Sequence, residues 1–504
     1  MIVCIGFMGA GKSTAAHHLA AALGTEAVDA DRAIEQRLGK PIARIFSEDG
    51  EAAFRDVEEE LTLELLGDDR PLVLALGGGA PSSRRVQEAL RDHLVVWIDI
   101  DPDAAWDRCA ASDRPLARDR RQFQQLYSER EPLYWRLSDV VVPSARSREM
   151  ARVGGPLCAL PERTKLLWAA SISGDYPAYI GSGLLSRAFW PGALSGRRFV
   201  VTDENVERLG SWVLEPPVGH VTIPAGEESK TIAQAELIWR ELTLAGMSRS
   251  DLVVALGGGV VGDLAGFCAA TYQRGIRYVQ MPTTLVAQVD SAYGGKTGID
   301  LPEGKNYVGA YHQPAAVLAD VEALATLPHG ELAAGYAEVV KTALIAGGWL
   351  WERVSAGADP DSGEIIAACA LTKLRIVARD ERDAGLRQVL NLGHTVAHAL
   401  ESATAYRRYR HGEAVAIGLL AALRLSGQDE LRAQVGQLLR ARGLPYSLNG
   451  VDPAAVIALT ARDKKRRGDR PVPFVLLDGP GRPRTGCEIS QRELELAVRE
   501  LQEP

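Results

Sequence analysis

The sequence predicts an α/β protein in three units: a small domain with a parallel sheet, a second α/β domain and a mainly helical domain. Three observations predict this. Short Val, Ile and Leu runs alternate with helical stretches through the first 320 residues, the pattern of a parallel sheet covered by helices. A glycine-rich loop of the form GxxxxGK[ST] stands between the first such run and the stretch after it. Beyond about residue 320 the strand signals fade, and apolar residues recur at i, i+3 and i+4.

The elements are taken in chain order. "MIVCIGF" is a buried strand and "KSTAAHHLAAAL" a helix; "LVLAL" and "LVVWIDI" are further buried strands. A seam, "PSARSREMARVGGPLCALPERTKL", mixes Pro, Gly and Arg without clear period and places a boundary near 160–170. Strands resume with "AYIGSGLL", "RFVVTDENV", "LVVAL" and "YVQM". Four helical patterns come next: "HGELAAGYAEVVKTALIA", "GEIIAACALTKLRIVARDE", "GHTVAHALESA" and "GEAVAIGLLAALRLSG". A short strand, "VPFVLL", sits near the end. The expected units are 1–165, 166–320 and 321–504, within the two to four domains that 504 residues allow at roughly 100–200 residues each.

Composition narrows the class. A net charge of −8 argues against a nucleic-acid binder, and the one basic run, "DKKRRGDR" at 463–470, reads as a solvated loop. The six cysteines show no CxxC spacing, which argues against a zinc ribbon or disulfide framework and fits a reducing cytosol. The N-terminus has no basic n-region, and stretches such as "AVAIGLLAAL" at 414–423 are too short to span a bilayer. The expectation is a cytoplasmic enzyme with small-molecule substrates, no membrane and no nucleic acid.

The string ALGGG occurs at 75–79 and again at 255–259. A duplicated domain would need a second GxxxxGK[ST] near residue 186, where "SRAFWPGALSGRRF" has none. The two copies are convergent punctuation: a buried strand ends, and glycines admit close approach to the backbone.

The first site begins at "GFMGAGKS". Gly9, Ala10, Gly11, Lys12, Ser13 and Thr14 form a loop whose N–H groups point at phosphate oxygens; Lys12 reaches the β/γ-phosphates and the Ser13 hydroxyl can ligate Mg²⁺. In "DADRAIEQRLGKPIARIFSEDGEAAFRDVE", Asp29 and Asp31 sit at a strand end, followed by Phe46, Gly50, Phe54 and Arg55. "RPLA" carries Arg114, and "SEREPLYW" carries Arg130 and Tyr134. Asp31 can accept hydrogen bonds from a polyol, and Arg55 with Arg130 can fork onto a carboxylate. Together these motifs closely resemble shikimate kinase across 1–160. The resemblance implies that Asp31, Arg55, Gly78 and Arg130 hold shikimate, that Asp29 lies near Mg²⁺ and that Arg114 belongs to a lid over ATP. Lys12 and Asp31 are then the catalytic pair. "RPLA" departs from the family's usual second leucine. A related small-metabolite kinase is the other reading.

The second site begins at "ALGGGVVGDLAGF", which lacks GxGxxG; Gly258, Gly259 and Val260 follow a strand and Asp263 opens a helix, so a pyrophosphate at the helix N-terminus is physically reasonable. Polar groups follow other strands: Asp203 and Asn205, Glu227 and Lys230, Thr283, Thr284 and Asp290. Arg274, Lys296, Lys305, Lys341, Lys373 and Arg387 lie in apolar, Gly-rich segments and point to an anionic substrate. His394 and His398 share a helix face at i, i+4, and spacing alone nominates them as metal ligands, with Glu338 and His411 as further donors.

"GGGVVGDLAGF", "YQRGIRYVQMPTTLVAQVDSAYGGKTGID", "GKNYVGAYHQP", "YAEVVK" and "LNLGHTVAHALE" strongly resemble 3-dehydroquinate synthase across about 170–490. The resemblance implies a P-loop kinase domain followed by a Rossmann-like α/β domain and a helical metal- and substrate-binding domain. It implies NAD⁺ on Asp203, Asn205, Glu227, Lys230, Gly258, Gly259, Val260, Asp263, Thr283, Thr284, Asp290, Lys296 and Lys305. It implies one divalent metal, Zn²⁺ or alternatively Co²⁺, on Glu338, His394 and His411, overruling the spacing pair. The heptulosonate phosphate falls to Arg274, Lys305, Asn306, Lys373, Arg387, Asn391 and His398, with Lys296, Lys341 and His398 catalytic. A homodimer through the synthase half is the partner left open. A polyol dehydrogenase, or a cyclase acting on another sugar phosphate, is the alternative for this half.

Overall fold

The computed structural model describes residues 1–70, 72–110, 116–208, 217–460 and 472–502. Arg114 and the basic run at 463–470 lie outside the described residues. Two compact units divide the chain: the first comprises Met1–Ala170 with Pro177–Tyr179 and Trp190–Ala193, the second Ser171–Tyr176, Ile180–Phe189 and the chain from Leu194.

In the first unit, β1 (Ile2–Ile5), β2 (Glu26–Asp29), β3 (Leu72–Ala75), β4 (Leu94–Asp99), β5 (Val140–Pro143) and β6 (Thr164–Ala169) pair in the order β2-β3-β1-β4-β5-β6. Every pairing among them is parallel. Strands as apolar as "LVLA", buried at all four positions, need cover on both faces, which the intervening helices provide. Parallel pairing also sends all the carboxyl ends to one edge. The P-loop after β1, Asp29 at the end of β2 and Gly77–Gly79 after β3 are therefore neighbours. At the P-loop the backbone turns through φ of +78° at Gly9 and +90° at Gly11, conformations that disfavour other side chains.

The seam at 143–170 is built rather than open. Its helix Met150–Cys158 buries Met150, Val153 and Leu157, an i, i+3, i+7 face that the Gly-Gly-Pro interruption hides in the sequence. Its end is β6, parallel to β5 through Val140–Leu166 and Val141–Leu167. The expected division at 165/166 falls inside this strand.

In the second unit, β7 (Tyr176–Gly181) straddles the division between units. It is followed by β8 (Arg198–Asp203), β9 (Gly219–Ile223), β10 (Leu252–Gly257), β11 (Arg277–Pro282), β12 (Lys296–Leu301), β13 (Gly304–Tyr311) and β14 (Ala316–Asp320). β14-β11-β10-β8-β9 form a parallel sheet, and β12 with β13 an antiparallel hairpin that the sequence pattern does not announce. The hairpin has a polar, glycine-rich composition and a half-exposed surface, so no apolar run marks it.

The four expected helices appear as His329–Ala346, Gly363–Arg379, His394–Ala403 and His411–Leu425. The last of them approaches two others closely enough to require glycine: a Cβ on Gly412 would lie 1.9 Å from Ala334 O, and one on Gly418 2.1 Å from Gly393 O. The late strand is half of a second hairpin, β15 (Phe474–Leu477) with β16 (Pro483–Cys487). Among the described residues no helix is long and apolar enough to cross a membrane.

Lys165 makes β6 integral to the first unit. Its ammonium donates to Trp135 O at 2.9 Å and to Ser138 O, capping the helix Arg120–Leu137 while lying over the Trp135 ring. Lys165→Met should destabilise this helix end by about 1–3 kcal/mol, the range for losing a charge-assisted bond at partly buried carbonyls. Amide hydrogen exchange reads it: residues 134–138 should exchange roughly tenfold faster per 1.4 kcal/mol. Unchanged exchange there would exclude the capping role.

Candidate active sites

The first site lies on the carboxyl edge of the β1–β3 strands. The helix Lys12–Leu23 opens at Gly11 without a side-chain cap, so its first-turn N–H groups face the loop. Lys12 Nζ donates to Phe7 O at 3.2 Å, folded over the loop whose phosphates it would meet. Asp29 accepts from Arg32 N at 3.2 Å and so fixes the helix Ala30–Leu38, whose first turn carries Asp31.

Arg55 and Arg130 come together with Asp31 around Gly77–Gly79. A Cβ on Gly77 would lie 2.7 Å from Asp31 Oδ1 and 2.3 Å from Glu58 Oε1, and one on Gly79 would lie 1.9 Å from Arg55 Nη1. Arg130 Nη1 at 3.3 Å and Tyr134 Oη at 2.6 Å both donate to Gly78 O. Burial pushes the Tyr134 phenol up to about 12, so it stays a donor.

Glu58 is a site residue that sequence reasoning misses. It is buried and pairs with Arg55 at 2.5 Å, in a second ion pair beside Arg55–Glu51 at 3.0 Å. Burial lifts its carboxyl above the usual range, against the pull of Arg55 and Arg130. The available signal was a carboxylate three residues after Arg55 on one helix.

The second site is a cavity of about 2270 Å³. Parallel pairing again assembles its rim: Asp203 at the end of β8, Gly258 and Gly259 after β10, Thr283 and Thr284 after β11. The helix Gly259–Thr271 opens at Gly258 without a side-chain cap, leaving first-turn N–H groups and a positive dipole end toward the cavity. Asp203 accepts from Asn205 N at 2.9 Å and Val206 N at 3.0 Å. Val260, Asp263, Asn205, Glu227 and Lys230 also line the space.

The cavity gathers most of the expected cations, each beside a carboxylate. Lys230 meets Asp263 at 2.6 Å, Lys296 meets Asp383 at 2.5 Å, and Lys305 meets Glu401 at 3.5 Å and Glu227 at 3.6 Å. Asp290 holds two lysines, Lys341 at 3.0 Å and Lys373, so here it positions cations. Burial opposes its ionisation, but the Lys341 and Lys373 charges overcome that and hold it well below the usual range. Arg387 is buried, donating to Glu381 O at 2.7 Å and Gly294 O at 3.1 Å. Asn306 and Asn391 line the cavity; Arg274, in the turn after the helix Gly259–Thr271, does not.

Glu338, His394 and His411 place one ligand atom each within 4.8 Å of one another. Glu338 Oε1 lies 3.7 Å from His394 Nε2 and 3.5 Å from His411 Nε2. Its buried carboxylate is ion-paired to Lys341, yet neither oxygen takes a hydrogen bond. Two imidazoles and such a carboxylate fit a divalent metal of the zinc type. His398 faces the same cavity but stands outside the cluster, its ring 5.5 Å from His394 and 6.3 Å from His411. The i, i+4 pair is thus not the set the fold brings together.

Burial disfavours a charged His411, but the nearby carboxylates of Glu338 and Glu401 overcome it and raise its pKa to about 10. Glu401, the last residue of "LNLGHTVAHALE" but given no role by the sequence reading, is held down to about 2: burial opposes its ionisation, and His411, Lys305 and His398 outweigh it.

Residues 8–153 match the shikimate kinase family, and 220–334 and 335–466 match the N- and C-terminal parts of 3-dehydroquinate synthase. The 3-dehydroquinate synthase of Acidithiobacillus ferrooxidans is 44% identical over 328 residues, 61% of this chain and 90% of that protein. Among solved structures, 2-deoxy-scyllo-inosose synthase with carbaglucose-6-phosphate, NAD⁺ and Co²⁺ is 25% identical at a TM-score of 0.58, covering 66% of this chain and 99% of that one. The 2-epi-5-epi-valiolone synthase from Streptomyces hygroscopicus subsp. jinggangensis, with NAD⁺ and Zn²⁺ bound, is 28% identical at a TM-score of 0.58, covering 65% and 96%. The chain belongs to the 3-dehydroquinate synthase family and carries a shikimate kinase domain ahead of the synthase, two enzymes of the shikimate pathway in one polypeptide.

Proposed function

We propose that the first unit phosphorylates the 3-hydroxyl of shikimate from ATP, and that the second converts 3-deoxy-D-arabino-heptulosonate 7-phosphate to 3-dehydroquinate and phosphate, both in the cytoplasm. The carrying observation is that one cavity joins an uncapped helix N-terminus, a His₂Glu cluster and a set of cations suited to an anionic substrate.

In the kinase, the loop amides and Lys12 hold the ATP phosphates, and Arg55 with Arg130 holds the acceptor's carboxylate. Asp31 orients the acceptor hydroxyl and takes its proton. Mg²⁺ arriving with ATP on Ser13, near Asp29, supplies charge neutralisation.

In the synthase, the related cyclases bind NAD⁺ with Zn²⁺ or Co²⁺, and this chain's residues fit both groups. When bound, NAD⁺ and the metal supply reversible hydride removal and polarisation of the substrate oxygen. Glu338, His394 and His411 hold the metal; the helix N-terminus at Gly258 and Gly259 receives the pyrophosphate. Lys373, Arg387 and Asn391 orient the substrate carboxylate. Lys296, Lys305, Asn306 and His398 would hold the departing phosphate, and Lys341 is held charged by Asp290 and Glu338. Self-association through the synthase half belongs to the same reading, and sedimentation measures it.

A paired assay tests the whole. After prolonged EDTA treatment and its removal, assay with Mg²⁺ should give full kinase activity but depressed synthase activity, restored by Zn²⁺ or Co²⁺. Equal loss in both assays would contradict the assignment.

Gly79→Ala addresses the first site. The new Cβ must displace the Arg55 guanidinium, so kcat/KM for shikimate should fall about 10- to 100-fold, as expected for a misplaced binding group. KM for ATP should stay unchanged, and a matching rise there would argue against Arg55 as an acceptor contact.

Alanine variants address the second. His394→Ala should lose both metal and synthase activity. His398→Ala should keep its metal, or lose affinity by no more than the ~10–100-fold of an outer-shell change, with its loss in turnover. Kinase activity should hold in both. Metal analysis decides: a metal-free His398→Ala with a metal-replete His411→Ala would restore the i, i+4 pair as ligands.

A further inference from the structure

Glu401 stands where two parts of the second site meet. Its carboxylate is 3% exposed and sits at the end of the helix that begins with His394. One oxygen, Oε1, lies 3.4 Å from His411 Nδ1 and 3.5 Å from Lys305 Nζ. The opposite ring nitrogen, His411 Nε2, faces Glu338. A hydrogen bond from Nδ1–H to a carboxylate fixes the tautomer that leaves Nε2 free to bind a metal. Lys305 comes from the β12–β13 hairpin. It is also bounded by Glu227 and by the Tyr406 ring, whose centroid lies 4.5 Å from Nζ. Tyr406 is itself set by the backbone after Glu401, which turns through φ of +50° at Ala405 and +58° at Tyr406, with Tyr406 N donating to Glu401 O at 2.8 Å. Two consecutive non-glycine residues in the left-handed region mark a segment held by its surroundings.

We infer that Glu401 is a positioning residue that joins Lys305 of the β12–β13 hairpin to the metal ligand His411 through one shared carboxylate oxygen, coupling metal affinity to the placement of that lysine. The inference rests on the reading of Glu338, His394 and His411 as a metal centre. Lys305 draws charge density from Glu401 that His411 would otherwise receive. Whatever draws Lys305 away, such as an anionic ligand in the cavity, should therefore strengthen the hold on the metal. By linkage the metal should strengthen the hold on that ligand equally.

The test is Co²⁺ titration of the metal-stripped full chain, followed by ligand-field absorption, on wild type, Glu401→Gln, Glu401→Asp and Lys305→Met. Glu401→Gln keeps the shape and removes the charge. It should bind Co²⁺ about 10- to 100-fold more weakly than wild type, as removal of an outer-shell partner does. Should circular dichroism show Glu401→Gln unfolded, Glu401→Asp, whose shorter carboxylate withdraws from the ring, takes its place with the same expected weakening. Lys305→Met should bind Co²⁺ more tightly, by on the order of fivefold, the lower end of site-to-site coupling. In the double variant Lys305→Met with Glu401→Gln that gain should vanish, because no carboxylate remains to be released. Wild-type affinity in the folded Glu401 variant overturns the positioning role. Unchanged or weaker binding in Lys305→Met, or a gain that survives in the double variant, overturns the coupling. A wild-type chain that takes up no Co²⁺ would instead overturn the metal-centre reading beneath it.

Discussion

Parallel strand pairing is the constraint on which both sites depend. In a parallel ladder every carboxyl end reaches the same edge, so residues far apart in sequence meet without any long loop. In the first unit this brings the P-loop, Asp29 and Gly77–Gly79 together from β1, β2 and β3. In the second it lines up Asp203, Gly258 and Thr283 from β8, β10 and β11. An antiparallel arrangement of the same strands would send half of these groups to the opposite edge. The apolar composition of the strands is thus part of the catalytic design, because strands buried on both faces are the ones that form such sheets.

The repeated ALGGG shows how little a short string determines alone. After β3 the glycines lead into a short turn at Ala80–Ser82, and the carbonyl of Gly78 is pinned by Arg130 and Tyr134. In the second copy β10 itself runs on to Gly257, and a helix starts at Gly259. One copy offers side chains room beside the backbone; the other offers uncapped N–H groups. The difference lies in the residues immediately downstream: "APSS" places a proline at a turn, whereas "VVGDLAGF" continues as a helix.

Much of this was legible in the sequence, for identifiable reasons. Periodicity located the four helices around the cavity, and GxxxxGK[ST] fixed the first site. Spacing pairs His394 with His398, whereas the fold brings His411 to the Glu338 helix through the close contact at Gly412 and to the start of the His394 helix through that at Gly418, which no linear spacing encodes. The hairpin β12–β13 was silent because its residues are half-exposed and glycine-rich. Glu58 and Glu401 were missed because a lone glutamate on a helix reads as solvent-facing until the fold buries it.

The buried carboxylates explain how a cavity holding this many cations folds at all. An unpaired ammonium at the depth of Lys341 or Lys230 would carry a large desolvation penalty. Asp290, Asp263, Glu227, Glu338 and Glu401 offset it pairwise. An anionic substrate therefore does not enter a bare positive field. It gains only the difference between its own contacts and those the carboxylates already make, and recognition rests on geometry more than on net charge. The kinase site repeats the pattern at smaller scale, with Glu51 and Glu58 holding Arg55 where its planar fork can meet a carboxylate. In both units the acidic partners keep the cations aimed and charged in a folded chain, and under the proposed function the substrate's carboxylate or phosphate competes for the same donors.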